Sequence, residues 1–98
     1  MKVKDTYPTA EMKELFQAIV SIDNEKEVAA FFRDLLTTAE ITEFANRWQI
    51  VKMLMVEKPY AEIAQKLSVS TTTVTRVSHW LHQGMGGYLS VAKKMYSK

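Results

Sequence analysis

Along almost the whole chain, apolar residues recur at the three- and four-residue spacing of an α-helix and not at the alternation of a strand. Met12, Leu15, Phe16, Ile19 and Val20 make one stripe over residues 9–21, and Thr9, after Pro8, is placed to cap it. Asp23-Asn24 interrupts the pattern, and Asn24 with Glu27 three residues later resembles a capping box. The next stripe is Val28, Phe31, Phe32, Leu35 and Leu36. Thr37 with Glu40 opens the third and longest predicted helix, about 38–57. Its apolar positions Ile41, Phe44, Ala45, Trp48, Val51 and Met55 are widened by Ile50 and Leu54. So broad a face exceeds what one small domain buries alone, and points to a bundle strut or a dimer seam.

Pro59 stops the long helix and suits the first turn of another. Residues 59–67 predict a short helix with Ile63, Ala64 and Leu67 inward; Ser68-Val69-Ser70 breaks it, and a further helix follows over about 71–82. The three glycines, Gly84, Gly86 and Gly87, crowd one short window and mark a turn before a last helix with Tyr88, Leu89, Val91, Ala92 and Met95. The fold class read from this pattern is all-α, with about six helices in a single domain spanning 1–98.

The pair at 59–82 has the makings of a helix-turn-helix, two steeply crossing helices joined by a turn of about 3–4 residues. Ile63 and Leu67, Val69 in the turn, and Val74 and Val77 supply the apolar wedge, with Ala64 as the small contact residue. Ser68 stands where such turns favour glycine, because that backbone often needs a positive φ. Ser70 caps the second helix, which begins Thr71-Thr72-Thr73. Three β-branched residues in a row are poor helix formers, so propensity does not explain them. Short hydroxyl side chains at the start of a recognition helix reach phosphates and base edges, which does. The predicted DNA-facing set is Ser70, Thr71, Thr72, Thr75, Arg76 and His79, with Lys58, Tyr60 and Lys66 flanking it to grip the backbone.

Charge sharpens this picture. The net charge of +2 hides an asymmetry: residues 1–49 carry 6 Lys/Arg against 9 Asp/Glu, a balance of −3, and residues 50–98 carry 7 against 2, a balance of +5. A basic half is what a polyanion-binding face needs. Without cysteine there are no disulfides or thiolate metal sites. No apolar run approaches the ~20 residues of a membrane span, and the N-terminus lacks a signal-peptide pattern, so the expected location is the cytoplasm.

From Leu36 to Leu81, the segments LTTAEITEFANRWQIVKMLM and YAEIAQKLSVSTTTVTRVSHWL resemble the Trp-repressor superfamily, and particularly its YerC/YecD-type branch. The L-T-x-x-E run, an arginine in the long helix and a T-x-T-R recognition helix carry the likeness. The resemblance implies an intertwined helical homodimer on a palindromic operator, its two recognition helices entering successive major grooves of double-stranded DNA. It also implies an effector site, since Trp repressor is switched by L-tryptophan. The positions that match its ligand-contacting polar residues are Thr37, Arg47, Thr73 and Arg76, all of the family's residue type. Val77 and Trp80, however, stand where the repressor has a glycine and a serine beside the ligand's indole. Added volume in a packed pocket opposes binding, so tryptophan control is expected to be lost, and no cofactor is expected.

Other constellations carry less. His79 and His82 are three apart but lack a third metal ligand, and Glu40 with Glu43, like Glu11 with Glu14, reads as a solvated helix face. No nucleophile–base arrangement or phosphate-cradling loop is present, so no enzyme is expected. The expected function is a DNA-binding transcriptional regulator, a repressor. Against it stand a protein-interaction helix-turn-helix, a tryptophan-responsive repressor, and a small enzyme using Arg47 and Arg76 on an acidic metabolite.

Overall fold

The computed structural model describes residues 6–96, which form six α-helices and no strand. Contacts divide the chain into two compact units, one ending at Thr38 and the other starting at Ala39.

The first unit holds α1 (Ala10–Val20) and α2 (Glu25–Leu35). Thr9 caps α1, its hydroxyl accepting from Met12 N at 3.1 Å. Asn24 caps α2 in the same way, its side-chain oxygen accepting from Glu27 N at 2.8 Å. Glu25 and Glu27 lie in the first turn of α2 and Arg33 in its last, each complementing the helix dipole. Caps and charges thus fix where these helices begin. Packing does not: neither helix contains a buried residue.

The second unit holds α3 (Thr38–Met55, which begins at the boundary), α4 (Tyr60–Leu67), α5 (Thr71–Gln83) and α6 (Gly87–Tyr96). Its core is Ile50 and Val51 from α3, Ile63 and Ala64 from α4, Val74, Val77 and Leu81 from α5, and Ala92 from α6. Leu67 and Val69 pack against this cluster, so the whole predicted wedge is inward. The stripe of α3 is only half used. Ile50 and Val51 are buried, whereas Phe44 is 46% exposed.

Two turns set the helix-turn-helix. Helix α3 ends at Met55, two residues short of the predicted end, because the chain closes there before reaching Pro59. Lys58 N donates to Met53 O at 3.0 Å and Glu57 N to Leu54 O at 2.9 Å, with Glu57 left-handed at φ 60. The end of α4 repeats this closure: Val69 N donates to Ala64 O at 3.0 Å and Ser68 N to Gln65 O at 3.3 Å, with Ser68 at φ 57. These are the paired bonds of a Schellman turn, whose left-handed residue is usually glycine. The positive φ expected at Ser68 is therefore present, on a serine.

Beyond α5, Gly84 N donates to Trp80 O at 3.0 Å. A Cβ at Gly84 would fall 2.4 Å from that carbonyl oxygen, so the chain leaves α5 only through a glycine. Helix α6 returns onto α3. Trp48 Nε1 donates to Tyr96 Oη at 2.9 Å, and the Tyr88 and Tyr96 rings lie 6.3 and 6.1 Å from the Trp48 ring.

Candidate nucleic-acid interface

Helix α5 has two faces of opposite character. Val74, Val77, Ser78 and Leu81 are buried at helical spacing and lock the helix into the core. Thr71, Thr72, Thr75, Arg76 and His79 are exposed, as is the cap Ser70. Ser70 Oγ accepts from Thr73 N at 3.1 Å and lies 3.0 Å from Thr73 Oγ1. This cap starts the helix despite its three threonines, since satisfying an orphan N–H offsets their poor propensity. The outward start of α5 thus presents backbone amides, hydroxyls and a guanidinium, with no carboxylate anywhere in the helix.

The flanking residues divide. Lys58 is 3.8 Å from Glu62, a loose and half-exposed pair that leaves the ammonium within reach of solvent. Lys66 is exposed in the last turn of α4. Tyr60 turns its hydroxyl onto Ser78 Oγ of α5, so an intramolecular bond engages the group expected to grip a phosphate. His79 lies edge-on to Trp80 with ring centroids 5.0 Å apart, and His82 Nδ1 is 2.9 Å from Ser78 O. The two imidazoles thus have separate neighbours, and no metal-ligating cluster of three occurs among the described residues.

Beside α5 lies a cavity of about 310 Å³. Arg47, Thr73 and Arg76 line it, three of the four positions singled out for an effector, while Thr37 belongs to the other unit. Val77 and Trp80 also line it, with Ile50, Val69 and Tyr88 completing the apolar wall. Arg47 has partners on its own helix, its guanidinium 2.7 Å from the Glu43 carboxylate in a half-exposed pair and 5.8 Å from the centre of the Phe44 ring. Arg76 has no ion pair among the described residues.

Sequence reasoning missed three of these features. The Glu43–Arg47 pair sits at the i, i+4 spacing that signals a helix-face ion pair. Tyr88 as a cavity wall needed tertiary placement of α6. Ser78 had a visible signal, a polar residue in register with Val74, Val77 and Leu81.

A family model described as Trp repressor protein matches residues 10–96. The chain belongs to the Trp repressor family. It is 35% identical over 78 residues to YerC of Bacillus subtilis (strain 168), an uncharacterized protein, covering 80% of this chain and 75% of that one. A solved TrpR like protein from Eubacterium eligens ATCC 27750 superposes with a TM-score of 0.86 at 36% identity, over 92% of this chain and 93% of its own. A Trp repressor candidate from Staphylococcus aureus gives a TM-score of 0.84 at 36% identity, over 92% and 90%. Membership of the Trp repressor family, an all-α fold and a helix-turn-helix make this a DNA-binding protein of transcription regulation.

Proposed function

We propose that this member of the Trp repressor family represses transcription as a homodimer on a palindromic operator, without requiring L-tryptophan. The observation that carries the reading is the two-faced α5, locked into the core by Val74, Val77 and Leu81 while Thr71, Thr72, Thr75, Arg76 and His79 stand outward. Thr72, Thr75 and Arg76 read base edges, Ser70 and Thr71 bind phosphate at the helix start, and Lys58, Lys66 and His79 contact the flanking backbone.

The apolar faces of α1 and α2 support the dimer, since helices with such stripes and no buried residue are stabilised by covering them. In the second unit, Leu54, Met55, Leu81 and Leu89 border an open cleft, with Glu57 and His82 at its edge, that offers apolar surface to a partner's stripe. A dimer would place two recognition helices about one helical turn apart on DNA. Among the described residues no helix is long and apolar enough to cross a membrane, in keeping with action at the nucleoid.

Selection of bound DNA from a random pool tests function and half-site spacing together. An inverted repeat should emerge, with affinity falling steeply as salt rises. No enriched sequence at low salt would defeat the proposal and favour a protein-interaction module. Independence from tryptophan rests on Val77 and Trp80, which add side-chain volume to the wall beside Arg76, and on the ion pair that Arg47 makes with Glu43. A cavity of about 310 Å³ is left between them, so binding has to be measured. Calorimetry with L-tryptophan should show no heat. Micromolar binding would establish the tryptophan-responsive alternative.

A further inference from the structure

The inward face of α5 contains one residue that hydrophobic packing does not explain. Ser78 is 6% exposed and is the buried polar residue of the described core, in register with Val74, Val77 and Leu81. Its hydroxyl is bonded to Tyr60 Oη, from the first residue of α4. The placement of this bond is informative. Tyr60 lies seven residues before the last residue of α4, and Ser78 seven residues after the first of α5. At 1.5 Å rise per residue, the bond joins the two helices roughly 10 Å from the turn along each arm.

The turn end is held by Ser68 and Val69, and the far end by this bond together with core packing. Apolar contacts are non-directional and tolerate small rotations, whereas a hydrogen bond fixes an approach distance and angle. A shift of about 1 Å at a lever arm of roughly 10 Å rotates α5 by about 5°. Recognition groups demand placement on the order of 0.5 Å, so such a rotation matters for base contact and little for folding.

We infer that Tyr60 and Ser78 form a positioning pair that sets the angle of α5 and thereby the sequence discrimination of the helix-turn-helix. Tyr60 acts through α5 and not on a DNA phosphate. This rests on the DNA-binding reading above and adds two residues to it that touch no base.

The test compares Tyr60→Phe, Ser78→Ala and the double variant on the selected operator and on scrambled DNA, across a salt series, with thermal unfolding of each. Loss of the bond should lower the preference for operator by about three- to tenfold in either single variant. The double variant should lose no more than one single variant, because both remove the same bond. The salt slope should stay at the wild-type value. If Tyr60→Phe instead weakens all DNA equally and lowers the slope by about one, with Ser78→Ala neutral, the hydroxyl is a phosphate contact and the inference fails. A lower Tm with unchanged operator preference reduces the pair to a stability element and also overturns it. A wild-type protein that discriminates no sequence defeats the DNA-binding reading first, whereas a discriminating wild type with indifferent variants defeats this inference alone.

Discussion

The two units of this chain are built from similar stripes and end differently. In the second unit, α3 to α6 converge on Ile50, Val51, Ile63 and Val74, each with no exposed surface. In the first, α1 and α2 carry comparable apolar stripes, yet Val20 is 80% exposed, Leu35 47% and Phe16 38%. Local signals are as good in the first unit as in the second, with Thr9 and Asn24 capping as Ser70 does. The difference teaches that caps and periodicity define helices but not a core. A two-helix segment encloses no interior, so its apolar face is stabilised only by a further surface.

The contrast breaks most visibly by truncating one residue in each unit. Ile63→Ala leaves a cavity in a closed core and should destabilise by about 2–5 kcal/mol, read as a lower denaturant midpoint at unchanged protein concentration. Phe16→Ala should behave differently if a second copy covers α1. Its loss of about 1.5–3 kcal/mol should appear as weaker association, with sedimentation shifting toward monomer and unfolding becoming concentration-dependent. Concentration-independent effects at Phe16 would mean that the first unit is stabilised within one chain.

The same contrast marks what could be read from residues alone. Helix identities, both caps of the first unit and the wedge of the helix-turn-helix were legible because they depend on spacing over a few residues. The outward set on α5 followed as the complement of that wedge. The end of α3 was misplaced by two residues because Pro59 was the obvious stop, while the actual stop is a left-handed Glu57 with no glycine to announce it. The bond between the Tyr60 hydroxyl and Ser78 spans 18 residues, beyond any local pattern. The half-used stripe of α3 shows a further limit. Periodicity reports which residues can be buried, not what covers them.

Ser68 offers a smaller way to sharpen the comparison, since it probes the rigid unit at its turn. A non-glycine residue in the left-handed region carries a steric cost that glycine avoids, although glycine gives up more backbone freedom on folding. Ser68→Gly should therefore stabilise by a net of about 0.5–1 kcal/mol, raising Tm by a few degrees. The change should be confined to the second unit, with the proposed association through α1 and α2 untouched. An equal shift in dimer affinity would mean that the two regions fold as one cooperative unit.

Glu62→Gln should have the smallest effect on stability and a readable effect on binding. The Lys58–Glu62 pair is long at 3.8 Å and half-exposed on both sides, at 47% and 52%. Exposed pairs of this kind contribute between nothing and about 1 kcal/mol, and one of such length belongs at the low end. Thermal unfolding should move by no more than a degree or so. The amide nonetheless removes a carboxylate from the edge of the proposed DNA face and releases Lys58 toward a phosphate. Affinity for operator and for scrambled DNA should rise together, by about twofold at low salt, and the gain should vanish as screening increases. That uniform, salt-sensitive gain is the signature of a backbone contact, in contrast to the discrimination lost on breaking the Tyr60–Ser78 bond. If Glu62→Gln changed the preferred sequence, Lys58 would have to be moved from the rim of the interface to its reading face.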